Sequence, residues 1–305
     1  MLITGGGGVL GAALQRQMPE AAMEVFSPSR SECDLLDSAS VRAVFADFKP
    51  QIVFHLAGKV SGILGNISYG GVAFYENTLM NLNVIEAARI SSAERVIAAG
   101  TTAIYSDLVN LPMREQDLWL GPPHGSEAPY ANAKRAMLAQ LSAYQSQYGL
   151  EYCFLICTNL FGSGDRFDVK NGHVVPSLIA RFFEAASKKA PSIAIWGDGS
   201  PTRDFLHADD AARAFIAAVD APSGAYNVAT GRSTSIRTLV ECLVKVSGYK
   251  GEIVWDASKP NGQLARSYDV SKIHSTGWKS VVSLEEGLSS TFSWYAANHE
   301  LARRG

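Results

Sequence analysis

Short apolar runs alternate with longer stretches of helical period through the first half of the chain. The apolar runs fall at Met1–Thr4, Met23–Phe26, Ile52–Leu56, Val96–Ala99 and Tyr152–Cys157. Between them lie Val9–Met18, Ser40–Phe48, Ala73–Arg89 and Tyr130–Tyr148, with apolar residues recurring at helical spacing. Strands alternating with helices predict right-handed βαβ units and a parallel sheet. Past about residue 160 the texture changes: Gly, Asn and Pro punctuate Phe161–Pro176, shorter elements follow, and Ser258–Gly262 reads as a loop. The expected architecture is α/β. A doubly wound parallel sheet spans residues 1–160, and a smaller mixed lobe spans 161–305, with some of its segments returning to the first domain. Ligand belongs in the crevice between them, at the carboxyl ends of the strands.

Two motifs sit at the points where this pattern places chemistry. The first, Thr4-Gly5-Gly6-Gly7-Gly8-Val9-Leu10-Gly11, joins the first strand to the first helix. Gly5, Gly8 and Gly11 recur every third residue, where side chains would block either backbone approach or helix packing. Such a turn holds a dinucleotide pyrophosphate against a helix N-terminus. The second, Tyr130-Ala-Asn-Ala-Lys134, puts a phenol and an ammonium on one helical face. A free tyrosine has a pKa of about 10, and a neighbouring cation is expected to bring it toward the working range. In this order the pair points to nicotinamide-dependent chemistry on a carbonyl or alcohol.

The end of the second strand bears on which nicotinamide cofactor fits. Enzymes that use NAD usually place Asp or Glu there for the ribose 2′-hydroxyl. Here Phe26 is followed by Ser27, Pro28, Ser29 and Arg30, which favours a 2′-phosphate and hence NADP. Glu32 and Asp34 lie further along. Two readings stand for Asp34–Asp37: a lining for adenine, or an Asp37 cap on the next helix. The cofactor-binding set expected from the turn and this loop is Gly5, Gly8, Val9, Leu10, Gly11 and Arg30. His55, in the third strand, reads as a core-edge histidine rather than a catalyst.

Composition narrows the rest. Of 305 residues, 47% are apolar, ample for a large core, and the net charge of −2 argues against a general nucleic-acid binder. Apolar stretches fall short of the roughly 18–20 residues of a membrane span. The first strand begins at once, leaving no room for a signal peptide, and Arg303-Arg304 reads as a solvated tail. Cys33, Cys153, Cys157 and Cys242 lack metal-type spacing, so buried free thiols and no metal are expected. A cytoplasmic protein, and a homodimer, are the expectation.

At this point the residues resemble the extended short-chain dehydrogenase/reductases and, more narrowly, the GDP-L-fucose synthases. The general markers are the glycine turn, Leu56-Ala57-Gly58 and the Tyr/Lys pair, and they imply further cofactor contacts from Leu56, Ala57 and Lys134. The narrower ones are Lys59-Val60-Ser61-Gly62-Ile63, Thr158-Asn159-Leu160-Phe161-Gly162, His173-Val174-Val175-Pro176, Ile195-Trp196-Gly197 and Arg203-Asp204-Phe205-Leu206-His207. The resemblance runs from Thr4-Gly5 to Trp294 and implies a Rossmann-type fold. It implies that Tyr130 gives a proton to the C4 carbonyl oxygen of a 4-keto sugar nucleotide as hydride arrives, that Lys134 holds the nicotinamide ribose, and that Thr101 stands at the family's catalytic serine. Thr102 could fill that last role after a small shift.

One departure changes the expected chemistry. Fucose synthases use a cysteine two residues after that serine as the base at C3 and C5, paired with a histidine. Here the cysteine position is Ala103, while the histidine is kept as His173. A methyl group cannot abstract a proton, so the expectation is a ketoreductase that does not epimerise. His173 could instead bind a sugar hydroxyl, or simply start a helix ahead of Pro176. Substrate contacts are expected from Arg203 and Arg181 to a diphosphate, with a solvent-facing helix residue the other reading of Arg181. Asn159 fits a sugar-nucleotide contact or a turn residue, and the resemblance implies that Trp196 and Arg266 lie near the nucleotide and sugar, most simply a GDP-sugar. Other readings are a full epimerase-reductase with another base (Thr102, or a water held by His173), an NAD-retaining 4-epimerase, and a cofactor-sensing regulator. A regulator would tend to lose the Tyr/Lys pair that this chain keeps.

Overall fold

The computed structural model describes residues 1–18, 24–60, 68–169, 172–258 and 263–302. Met23, Ser61–Ile63, most of the Ser258–Gly262 loop and the Arg303-Arg304 tail lie outside the described residues. Five strands form one wholly parallel sheet in the order β1 (Leu2–Thr4), β2 (Ile52–His55), β3 (Arg95–Thr101), β4 (Glu151–Cys157) and β9 (Gly224–Val228). The strand expected at Met23–Phe26 is reduced, among the described residues, to one bridge from Phe26 to Leu2 on the outer side of β1. The chain turns away at once through Pro28, which has no N–H to extend a ladder.

Side chains alternate across this sheet and fill two separate cores. Val96, Ala98, Phe154 and Ile156 pack toward α2 (Ser38–Phe48), α3 (Gly70–Ile90) and α4 (Ala128–Tyr148). Ile97, Cys153 and Leu155 point the other way, toward α1 (Val9–Gln17) and α6 (Ala208–Ala217). Helices therefore cover both faces, which is why the strands read as continuous apolar runs. This is the doubly wound Rossmann-type arrangement. Strand β9 and helix α6 come from late in the chain, yet they complete the first sheet and its second face.

The remaining elements gather around a third core containing Phe161, Phe182, Ile193, Leu239 and Leu288. They include α5 (Val174–Ser187), α7 (Ile236–Ser247) and α9 (Leu284–Asn298). With them are four small strands: β6 (Ser192–Trp196) pairs with β11 (Glu252–Asp256) in parallel, and β7 (Thr202–Arg203) with β10 (Thr234–Ser235) in antiparallel. β5 (Asn159–Phe161) and β8 (Phe205–His207) form a third pair beside them, and α8 (Ser271–His274) is a single turn. No described helix is long and apolar enough to cross a membrane.

The candidate active site

The glycine turn is shaped by contacts that leave no room for Cβ atoms. Gly5 has φ +75°, and a Cβ there would lie 2.7 Å from the Ala57 nitrogen. A Cβ on Gly11 would lie 2.4 Å from the Gly5 oxygen, so both positions need glycine for close backbone approach. Gly8 is less crowded and serves as N-cap of α1, without a side-chain cap. The amides of the first helical turn are left free of intrahelical partners, as an anion site requires. Leu56 and Ala57 follow β2 directly beside this turn, with the Leu56 amide donating to the Thr4 oxygen at 3.1 Å.

The loop after Phe26 leaves one cation available. Glu32 folds back to accept from the Ser29 amide and hydroxyl, both at 2.7 Å, and these bonds hold its carboxyl below the usual range. Asp34 accepts from the Leu36 amide, and Asp37 caps α2 by accepting from the Ala39 amide. The cap reading of Asp37 is the one the geometry supports. Arg30 is exposed and makes no ion pair among the described residues.

Under the opposite wall, His55 is fully buried rather than at the core edge. Its ring bridges the Thr4 hydroxyl at 2.8 Å and the Asn81 side chain at 2.9 Å, and Asn81 in turn donates to the Ala133 carbonyl of α4. Burial and the nearby Lys134 cation push this imidazole down to about 3. An unfolded histidine takes up a proton near pH 6.5. The folded state therefore loses stability as pH falls from about 6.5 toward 3, and keeps it above 6.5. By NMR, the His55 ring resonances should hold their neutral positions down to pH 5. Titration near pH 6.5 would show that the ring is not sealed.

Tyr130 and Lys134 lie one turn apart on α4, at 8% and 2% exposure, with Nζ 5.9 Å from the phenol ring centre. Burial pushes Tyr130 above its ordinary value, with Cys157 and Glu127 adding to it. The expected lowering by Lys134 is thus absent. Burial of the ring sets the direction, and burial pulls Lys134 itself down to about 8. Thr101, at the end of β3, is partly exposed, and its hydroxyl accepts the Ala103 amide at 3.2 Å. Thr102 and Ala103 turn into the core at 7% and 4% exposure.

Cys157 pairs in register with Thr101 and lies within electrostatic reach of both Tyr130 and Lys134. The sequence places it in a buried strand but says nothing of this neighbourhood. Burial pushes its thiol up to about 12, so it is a neutral wall and no base at neutral pH. The other three cysteines are also free thiols.

Two of the expected arginines, Arg203 and Arg266, lie near each other, and Arg203 Nη1 donates to the Thr202 and Gln263 carbonyls at 2.8 Å each. Arg203 is half-buried, and burial together with the Arg266 cation holds it below its usual range. Asp204 does not pair with it. That carboxylate accepts from the Thr230 amide and hydroxyl and from the Arg232 amide, pinning a turn. Arg266 is 6% exposed and reaches Glu127, just ahead of α4, at 3.1 Å. Arg181 is not a free surface cation; it donates to the Ala194 carbonyl and ties α5 to β6. Asn159 donates to the Asp204 carbonyl at 3.0 Å, the turn-holding reading of that residue. Trp196 is 61% exposed at the end of β6. His173 is the exposed N-cap of α5, makes no side-chain cap, and is not bound to the Tyr130 cluster among the described residues.

The sheet, the glycine cradle and the buried Tyr/Lys pair together define a dinucleotide-binding α/β protein. The chain belongs to the NAD dependent epimerase/dehydratase family, whose model matches residues 1–229. It is 37% identical to the GDP-L-fucose synthase of Escherichia coli (strain K12), over 99% of this chain and 98% of that one. A crystal structure of a GDP-L-fucose synthetase from Naegleria fowleri bound to NADP superposes with a TM-score of 0.91 at 25% identity, covering 99% of this chain and 95% of that one. A GDP-mannoheptose C4 reductase from Campylobacter jejuni with NADP bound superposes with a TM-score of 0.87 at 26% identity, covering 96% and 97%.

Proposed function

We propose that this protein is an NADP-dependent C4 ketoreductase acting on a GDP-linked 4-keto sugar, in deoxysugar or heptose biosynthesis, without 3,5-epimerase activity. One observation carries the reading. A buried Tyr130–Lys134 pair lies within electrostatic reach of Cys157, the register partner of Thr101, while the position two residues after Thr101 holds a core-packed Ala103. The cradle at Gly5 and Gly11 fits a pyrophosphate, because a Cβ at either would fill it. When bound, the reduced dinucleotide supplies the hydride. Because burial keeps Tyr130 protonated at neutral pH, it can give its proton to the C4 oxygen. Thr101 already accepts the Ala103 amide, so its own O–H is free to orient that oxygen. Lys134 would hold the nicotinamide ribose, its buried ammonium regaining there the hydrogen bonds that burial denies it. Arg203 and Arg266 receive the diphosphate. The fit of Arg181, Trp196, Asn159 and His173 to the substrate is carried by the resemblance alone.

A boundary near residue 160, a homodimer and a cytoplasmic location complete this proposal. The reading is tested by mass spectrometry of products from a panel of nucleotide-linked 4-keto sugars with NADPH. Reduction of a GDP-linked member is expected, and inertness across the panel would overturn it. Cofactor choice is a separate expectation. Arg30 is the unpaired cation of its loop while Glu32 is consumed by Ser29, so NADPH should bind more tightly than NADH. Arg30→Ala should weaken NADPH about tenfold or more, in keeping with a charged hydrogen bond, and leave NADH nearly unchanged. Equal binding of the two by the unmodified protein, in a fluorescence titration, would contradict this assignment.

A further inference from the structure

We infer that the Tyr268 hydroxyl is a substrate-binding group, donating to the diphosphate of the nucleotide sugar as a third arm beside Arg203 and Arg266. This rests on the substrate class proposed above. Tyr268 is 3% exposed, and its buried oxygen finds no partner in full hydrogen-bond geometry, although the Thr102 hydroxyl lies near enough to favour its ionised form. The contrast with its neighbour is informative. The Tyr105 ring lies 6.3 Å away, and its hydroxyl donates to the Asn227 side chain at 2.7 Å. Two buried tyrosines thus share one core, and only one has its oxygen satisfied. If packing alone were needed at 268, phenylalanine would fill the space without a stranded hydroxyl.

The backbone gives this side chain little freedom to seek a partner elsewhere. Ser267 and Asp269 bond the two sides of Met113, at 2.9 Å each. What surrounds the hydroxyl is cationic: Arg203 and Arg266 both act on it electrostatically, with Thr102 beside them. Arg266 also leaves its Nε buried and unbonded, although its Nη2 reaches Glu127. Asp204 faces the same hydroxyl but is engaged with Thr230 and Arg232. Two guanidiniums, an unbonded guanidinium N–H and an unbonded phenol therefore converge beside the threonine that follows Thr101. That is the donor set for an anion with several oxygens.

The test is Tyr268→Phe, read by calorimetry with GDP and with inorganic pyrophosphate, by thermal melting, and by steady-state kinetics. Removing a stranded hydroxyl should leave the unliganded melting temperature unchanged or higher. The Kd for GDP and the KM for the keto sugar should rise about tenfold or more, the size expected for one hydrogen bond to a charged group. The kcat and the NADPH affinity should stay within about twofold. If the unmodified protein binds GDP and the variant binds it equally well, this inference fails while the proposed function stands. Binding of neither GDP nor pyrophosphate by the unmodified protein would remove both. Binding of pyrophosphate but not GDP would remove the guanine nucleotide only, and a pyrophosphate affinity weakened by the substitution would still support the phenol contact.

Discussion

Tyr130→Phe is expected to lower the kcat for keto-sugar reduction by about 10²–10⁴, the usual contribution of a positioned general acid. The substitution removes one oxygen from a ring that is 8% exposed, and that ring makes no part of the glycine cradle. NADPH should therefore bind within about twofold of the unmodified affinity, and the fold should be unharmed. Burial raises the phenol's pKa in the unliganded protein, so the donor is protonated across the neutral range. The rate of reduction in the unmodified protein should accordingly not fall between pH 6 and 8 through loss of this proton. Stopped-flow measurement of NADPH consumption, with and without the substitution, checks both points. A variant that keeps most of its turnover would show that another group, with Thr101 the nearest hydroxyl at the end of β3, delivers the proton.

The elements that bear the chemistry were legible because each carries a strong local rule. A strand, a turn needing glycine at Gly5 and Gly11, and a helix can be read from spacing, and the close contact with Ala57 is what that spacing serves. Tyr130 and Lys134 follow from helical periodicity. What spacing does not encode is long-range packing. Nothing local says that Gly224–Val228 pairs with β4, or that α6 covers the face opposite α4, because those contacts join segments far apart in sequence. Electrostatic balance is equally non-local. The lysine was expected to draw the tyrosine downward, and burial set the opposite direction. Arg181 illustrates the same limit: a guanidinium suits a diphosphate by its chemistry, whereas this one is spent on a carbonyl of β6. Cys157 sits in an apolar run that reads as plain core, and Tyr268 in a mixed polar stretch that offers no motif, so only their neighbours in space distinguish them.

When the protein meets a GDP-linked 4-keto sugar in heavy water, no deuterium should enter C3 or C5. Proton removal there needs a base within reach of the ring, and Ala103 offers a methyl group packed into the core at 4% exposure. The thiol that lies near Tyr130, Cys157, is no substitute, because burial holds it protonated up to about 12. Thr102 turns inward at 7% exposure, which removes the nearest hydroxyl alternative. His173 is exposed at the start of α5 and is not bound to the Tyr130 cluster among the described residues. The reduced product should keep the C3 and C5 configuration of its precursor, read by mass and by NMR coupling constants. Ala103→Cys returns a thiol to the family's position while His173 is already present, so it should introduce measurable exchange if that position faces the sugar. Ready exchange by the unmodified protein would instead make it an epimerase-reductase, and the base would then have to come from outside position 103, with a water held by His173 the first group to examine.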